Sequence, residues 1–400
     1  MQITNLSKTD ILGRYFTNEK IGKILVDSMC HASPSLVVDL GAGDGALTEI
    51  AASTWSNAHF LTVDIDQDAP VRSPFLNRSD RVTHITVDAL CHDLHEKLNI
   101  KLESADAAVC NPPYIKPKWR NDFKIILKEA GLDSVFYTKK DISAELLFIA
   151  QNLRILKRGG ILGLILPDGI VSGERYYQLR HSLLKNHAVT SVIELPRRIF
   201  DKTDAKTHII VLEKNGDSRD RLTLQCIDDE LNYLSPVDIT ISEGFERLDY
   251  SYHKFKEIKS GRSKLGDIAT FIARGKTSSS KIKDRPYPVF HITDMINGKC
   301  KIEKKFKLQK DHLPSDETIA EKGDILISRV GRNLSEKVCQ ITSGRVVISD
   351  CIILIRVPNE YQPSLLSYLT SSTGKENLEA LSKGVGAKFL SQKSIMELFF

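Results

Sequence analysis

The chain has 400 residues, of which 41% are hydrophobic and 27% charged, with a formal net charge of +5. This is ordinary globular composition, long enough for two domains. It holds no apolar run of 18 residues and no basic-then-apolar N-terminus, so neither a membrane span nor a signal peptide is expected. Seven scattered cysteines without a C-x-x-C pair argue against a disulfide framework and against a metal site, which fits reduced thiols in a cytoplasmic protein.

In chain order, a helix is predicted over 18–31, then a buried strand, Leu36–Leu40, that runs into Gly41-Ala42-Gly43-Asp44-Gly45 and a helix over 45–53. Glycines at a strand–helix turn let the backbone tighten and let a ligand approach it closely. A second strand, 59–63, ends in Asp64-Ile65-Asp66, 23 residues past Gly41, where an acid can accept bonds from ribose hydroxyls. A third, 82–87, ends in Asp88, placed to meet an adenine amino group. No basic cluster near 41–46 is available for phosphates, which favours a cofactor without them.

The fourth strand, 107–110, ends in Asn111-Pro112-Pro113-Tyr114. Two prolines fix φ, remove two donors and make a rigid corner. The Asn111 side-chain oxygen and the Pro112 carbonyl can each accept one N–H from a flat substrate with an exocyclic amine, while Tyr114 stacks on its ring. Further helices are predicted over 143–157 and 174–186, and strands over 160–166, 189–195 and 208–213, with β-like segments in 221–242. The alternation predicts an α/β domain with a mainly parallel sheet and helices on both faces. The polar stretch 243–264 reads as a linker, and short strands broken by Gly and Pro follow it. Two domains are therefore expected, 1–245 and a smaller mixed, strand-rich 246–400. Residues 251–400 carry a net +10 and the rest a net −5, a split that points to a polyanion partner for the C-terminal part.

The ordered set resembles the S-adenosylmethionine-dependent N6-adenine DNA methyltransferases. It is similar to the modification subunits of type I restriction systems and to self-contained type II enzymes. The carrying residues are Gly13-Arg14-Tyr15-Phe16-Thr17, the run Val38 to Gly45, Asp64, Asp88, Asn111 to Tyr114, and Ile199-Phe200 with Lys206 to Leu212. Asn18 stands where that family usually has proline. The C-terminal part resembles a target-recognition domain of a type I specificity subunit, through Lys264 to Ile268, Phe271 to Lys276, Gly323 to Gly331 and Gly384 to Lys388.

The resemblance implies a class I methyltransferase fold and transfer of a methyl group from S-adenosylmethionine to N6 of an adenine flipped out of duplex DNA. It assigns cofactor binding to Phe16, Thr17, Asp39, Gly41, Gly43, Asp64, Ile65, Asp88 and Asn111. Catalysis falls to Asn111, Pro112, Pro113 and Tyr114, with Phe200 as a second stacking ring. Lys116, Lys118, Arg274, Lys276, Arg329, Arg332 and Lys388 are the candidate DNA contacts. Duplex DNA is the expected partner, with a separate restriction endonuclease where the system restricts. RNA adenine or protein glutamine methylation, a non-catalytic DNA-binding module and a dinucleotide oxidoreductase are the competing readings.

Overall fold

A computed structural model describes the chain except residues 1–16, 30–32, 70–72, 74, 77–78, 134–141, 198, 201–205, 258–262, 304–315 and 385–386. The chain divides into two units, Met1–Tyr250 and Ser251–Phe400.

In the first unit nine strands form one sheet, ordered β3-β2-β1-β4-β5-β7-β6-β8-β9. They are β1 (Leu36–Leu40), β2 (His59–Asp64), β3 (Val82–Thr86), β4 (Ala105–Cys110), β5 (Leu156–Pro167), β6 (Ala188–Glu194), β7 (Thr207–Glu213), β8 (Arg221–Cys226) and β9 (Val237–Thr240). From β3 to β5 every pairing is parallel. β7 lies antiparallel between β5 and β6, β8 pairs parallel with β6, and β9 closes the edge antiparallel. The expected α/β class with a mainly parallel sheet is what these strands build.

The central strands are apolar on both faces because helices cover both. Along β1, Val37 enters one core cluster while Val38 and Leu40 enter the other; along β4, Ala107 and Val109 part from Ala108 and Cys110 in the same way. That is the two-residue alternation of a strand buried on both sides. Helices α1 (Glu19–Ser28) and α2 (Ala46–Thr54) bury Ile21, Leu25, Leu47 and Ala51 in the first cluster. Helices α3 (Asp122–Glu129) and α4 (Ala144–Ile155) bury Phe123, Ile126, Leu147 and Ile149 in the second. Asn18, the departure from the familial proline, caps α1: its Oδ1 accepts from the Lys20 amide at 2.9 Å. An asparagine there satisfies a donor that helix formation leaves unpaired.

The strand order reverses direction of growth at β1. β2 and β3 lie on one side of it and β4 and β5 on the other. The loops leaving β1 and β4 therefore part above the sheet, at the position where open α/β sheets bind ligands.

The stretch 243–264 is not simply a linker. α5 (Tyr177–Asn186) packs against α6 (Ile241–Glu246), which opens with a capping box between Thr240 and Glu243. Leu248 and Tyr250 are buried in the core, and Arg247 and Asp249 form a buried ion pair at 2.6 Å. Arg180, 1% exposed, donates to the carbonyls of Ile170, Gly173, Phe245 and Glu246 at 2.7 to 3.0 Å. Apolar anchors spaced among polar residues hold this segment to the sheet, a pattern that its overall polarity hides. Burial brings the Arg180 guanidinium down to about 10, and its charge is compensated by four carbonyl dipoles.

The second unit has a five-stranded sheet, β10-β18-β14-β16-β12, a three-stranded sheet, β11-β17-β13, and a two-stranded ribbon, β15-β19. The strands are β10 (Phe271–Arg274), β11 (Val289–Phe290), β12 (Gly298–Lys301), β13 (Ile319–Glu321), β14 (Ile325–Ser328), β15 (Val330–Gly331), β16 (Val338–Ser343), β17 (Arg345–Ile348), β18 (Ile352–Arg356) and β19 (Lys388–Phe389). β14 and β18 send Ile325, Ile327, Ile353 and Ile355 into a core with α7 (Gln362–Thr370) and α8 (Ser372–Leu381), and Leu326, Ile352 and Leu354 into a second core on the opposite face. Among the described residues no helix is long and apolar enough to cross a membrane.

Replacing Arg180 by Met leaves four carbonyls, one of them buried and three part-buried, without a charged donor. Arg180→Met is expected to lower unfolding free energy by about 3 kcal/mol or more, read from urea denaturation midpoints. A shift under 1 kcal/mol would show that the segment is held mainly by its apolar anchors.

Candidate active site

A cavity of about 330 Å³ opens where the loops after β1, β2, β3 and β4 converge. Thr17, Asp39, Gly41, Gly43, Asp64, Ile65, Asp88 and Asn111 all line it, as do Pro113 and Lys118. Residues scattered over 100 positions are brought together by strand pairing. β1 and β4 run parallel with Asp39 beside Val109, so Gly41 and Asn111 leave the sheet side by side. The Cys110 thiol donates to the Leu40 carbonyl at 3.2 Å across that pair.

The glycine loop is fixed by its own backbone and by an acid. The amides of Gly41 and Ala42 donate to the Val63 carbonyl at 2.7 and 2.9 Å. Gly43 donates to Asp64 Oδ2 at 2.7 Å, and Asp66 donates to Asp64 Oδ1 at 2.8 Å. Gly41 and Gly45 both have φ of +77°, and a Cβ on Gly45 would lie 2.6 Å from Leu76. A side chain is excluded there on conformation and on space. A Cβ on Gly41 would meet the Phe148 ring at 3.0 Å, so α4 sets the depth of the loop.

Asp39, 1% exposed, accepts from Thr48 Oγ1 at 2.6 Å. Burial pushes its carboxyl up to about 7; the Thr48 bond opposes that rise, and the negative charge of Asp64 adds to it. Asp88 is engaged as well: Arg120 Nη1 donates to Oδ2 at 2.5 Å and the Leu90 amide to Oδ1 at 2.8 Å. A carboxylate has about four lone-pair sites, so both oxygens keep capacity for a ligand amine. In all, Asp39, Asp44, Asp64 and Asp88 face the cavity against Lys118 and Arg120. Such a lining repels a pyrophosphate and attracts a cation.

At the proline corner Asn111 Nδ2 donates to Thr17 Oγ1 at 3.1 Å. In this orientation Oδ1 lies towards Tyr114. The Tyr114 hydroxyl lies 3.5 Å from that oxygen, and the Ile115 carbonyl accepts from the Ala144 amide at 3.0 Å, pinning the outgoing chain to the start of α4. Pro112 is buried, Tyr114 half-buried, and Lys116 and Lys118 exposed beside them.

Other expected site residues fall elsewhere. Phe16 lies outside the described residues. Phe200 is 3% exposed and packs in the core cluster with Leu195, Ile209 and Ile227, so the structure does not bring its ring into the cavity. Its apolar neighbours explain this: a ring between strand residues of one hydrophobic face gains more from burial than from standing in water. Lys388 is also corrected, being 6% exposed and ion-paired with Glu379, which removes it from a polyanion's reach. Arg329 Nε donates to the Asp350 carbonyl at 2.5 Å, whereas Arg274, Lys276 and Arg332 are exposed. Sequence reasoning missed Arg120, Phe148 and Thr48. Thr48 stands nine residues after Asp39, near enough to be sought; the other two carry no local signal.

Residues 76–271 match the family model described as N-6 DNA Methylase, and residues 18–130 the model described as Methyltransferase small domain. The chain is similar to the Type I restriction enzyme MpnII methylase subunit of Mycoplasma pneumoniae, 26% identical over 230 residues, which are 52% of this chain and 41% of that protein. It is similar to the Type II methyltransferase M.HincII of Haemophilus influenzae, 25% identical over 251 residues, 62% and 44% of the two chains. It thus spans less than half the length of these relatives. Among solved structures the type IIG restriction endonuclease BpuSI shares the fold, with a TM-score of 0.54 at 16% identity over 97% of this chain and 59% of that one.

Two outcomes are expected. A ligand of permanent positive charge binds this cavity up to about ten-fold tighter at pH 8 than at pH 6, because Asp39 passes from protonated to ionised across about 7. Calorimetry checks this: Asp39→Asn should flatten the dependence, and a flat wild type would contradict the account. Phe200→Ala should cost about 3–5 kcal/mol of stability as a core truncation, measured by urea unfolding. A stable variant would mean the ring is not held in the core.

Proposed function

We infer, for a chain whose residues 76–271 match the N-6 DNA Methylase model, that it transfers a methyl group from S-adenosylmethionine to the N6 amine of an adenine flipped out of duplex DNA. The observation that carries this reading is the convergence of the glycine loop, Asp39, Asp64 and Asp88 with Asn111 and Pro113 around one cavity. Each part has a task in such a reaction, whereas Asn111 and Pro113 have none in dinucleotide chemistry.

The residues fit that cofactor. Backbone amides without basic side chains, and four carboxylates against two cations, suit a sulfonium nucleoside. Asp64 is placed for ribose hydroxyls, Asp88 for the adenine amine and ionised Asp39 for the positively charged end. When bound, S-adenosylmethionine supplies an electrophilic methyl group.

The protein has to present the amine to it. An exocyclic amine on a purine is a weak nucleophile because its lone pair is delocalised into the ring. Asn111 Oδ1 and the Pro112 carbonyl take one amino hydrogen each, favour a pyramidal nitrogen and stabilise the positive charge that develops on it. The prolines make these acceptors rigid, so little reorganisation is needed at the moment of reaction. Protons leave after transfer, so no group has to act as a general base beforehand. Tyr114, beside the corner, is the stacking partner for the flipped base, returning about 1–3 kcal/mol of the flipping cost. With Phe200 in the core, Tyr114 carries that task.

The second unit is the target-recognition domain on this reading. Its basic charge supports binding to a polyanion, and exposed Arg274, Lys276 and Arg332 supply phosphate contacts. The protein then works as the modification activity of a restriction-modification system, with cleavage assigned to a separate endonuclease.

Asn111→Ala should cut transfer of labelled methyl groups to duplex DNA by roughly 100- to 1,000-fold, the order of a lost preorganised hydrogen-bonding group. Cofactor affinity should stay within a few-fold of wild type by calorimetry. Transfer by the variant at the wild-type rate, or wild-type transfer to RNA or protein in preference to DNA, would overturn the reading.

A further inference from the structure

Residues 274–285 of the second unit hold five Lys and Arg and one Asp. Arg274, Lys276, Lys281 and Lys283 are exposed. The fifth cation differs. Arg285 is half-buried, and its Nη2 lies 3.2 Å from Glu317 Oε1, on a side chain only 1% exposed. The same oxygen accepts from Thr277 Oγ1 at 2.6 Å and from the Tyr287 hydroxyl at 3.0 Å. Glu317 Oε2 and Arg285 Nε are both buried and meet no hydrogen-bond partner among the described residues.

Backbone geometry makes this arrangement part of the fold. Thr277 bridges to Ser349 at the end of β17, and the Thr318 hydroxyl donates to the Arg274 carbonyl at 2.8 Å. A Cβ on Gly275 would stand 2.2 Å from the carbonyls of Ile348 and Ser349, so only glycine lets the basic segment lie this close to that strand. The segment from Arg274 to Thr277 and the Arg285–Glu317 pair therefore lie together, with Lys281 and Lys283 on the turn that joins them.

A buried carboxylate is costly and cancels the charge of the cation that it holds. For a phosphate contact, which rewards net positive charge, it is a disadvantage. For a contact that rewards direction it is an advantage, because it holds the guanidinium by one edge at Nη2 and leaves Nη1 and the second Nη2 hydrogen for two parallel bonds. Arg356 is also backed by a buried acid, Asp324, but Glu321 pairs with it too, so it is doubly neutralised. Arg285 has one carboxylate and four cationic neighbours in its segment.

We propose that Arg285, held by Glu317, reads a guanine in the major groove through O6 and N7, while Arg274, Lys276, Lys281 and Lys283 hold the flanking phosphates. The pairing follows from chemistry: O6 and N7 of guanine are two adjacent acceptors, matched by the two-pronged end of a guanidinium. The inference rests on the reading of the chain as a DNA methyltransferase and names a residue that sets its sequence preference.

The test uses the full chain and two readouts. Sequencing of methylated adenine in DNA from cells expressing wild type, Arg285→Lys, Glu317→Gln and Lys281→Ala gives each recognition sequence. Competition binding with duplexes carrying 7-deazaguanine one position at a time gives dependence on N7 without methyl transfer. Wild type should prefer guanine at one position by roughly 5- to 150-fold, the range for one bidentate pair, and lose that preference on 7-deazaguanine. Arg285→Lys, which keeps the charge but loses the planar fork, and Glu317→Gln, which keeps length and shape, should relax that position alone. Lys281→Ala should weaken binding alike on all sequences. Unchanged preference in both variants, a uniform loss in both, or no guanine-dependent position in wild type overturns the proposal. Guanine-selective binding without methyl transfer would instead sink the catalytic reading and leave this one standing.

Discussion

The parallel pairing of β1 with β4 is the constraint on which the site depends. Its register sets Asp39 beside Val109 and delivers two unlike turns to the same edge of the sheet: a glycine loop that hugs a ligand, and a proline corner that cannot bend away. Both strands are apolar on both faces, so a one-residue slip would drive Asp39 and Asn111 out of place at a cost in buried packing. The core therefore holds the spacing of the chemistry, although none of its residues takes part in it.

The cavity also uses its acids twice. Asp64 braces Gly43 and Asp66, Asp88 holds Arg120, and Asp39 binds Thr48. Each is anchored before any ligand arrives, which lowers the entropy lost on binding. Burial, with the charge of Asp64 adding to it, raises Asp39 towards neutrality, and a cationic ligand opposes that rise. Charge in the cavity and charge on the cofactor are thus parts of one balance.

Much of this was legible in the sequence because strand ends are written in local residues. The runs before Gly41, Asp64, Asp88 and Asn111 are short, apolar and punctuated, and those four ends line one cavity. What was not legible depends on long-range packing. Helix α3 follows a polar, proline-containing loop, yet Phe123, Ile126 and Leu127 recur at helical spacing and were available to be seen. Phe200 has the right neighbours in sequence for a stacking ring, but the hydrophobic face shared by β6 and β7 claims it. Lys388 looks like any loop cation until Glu379, nine residues earlier on α8, reaches it. Arg120 could not be singled out among Lys116, Lys118 and its other neighbours, since only the fold brings Asp88 to it.

The central claim is that the corner formed by Asn111 to Tyr114 grips a purine amine for methylation. Mass spectrometry of nucleosides digested from duplex DNA, after incubation with the purified protein and S-adenosylmethionine, tests it most directly. The account predicts N6-methyldeoxyadenosine as the sole new nucleoside. Methylated cytosine, or unmodified DNA from protein that binds the cofactor and the duplex, would contradict it.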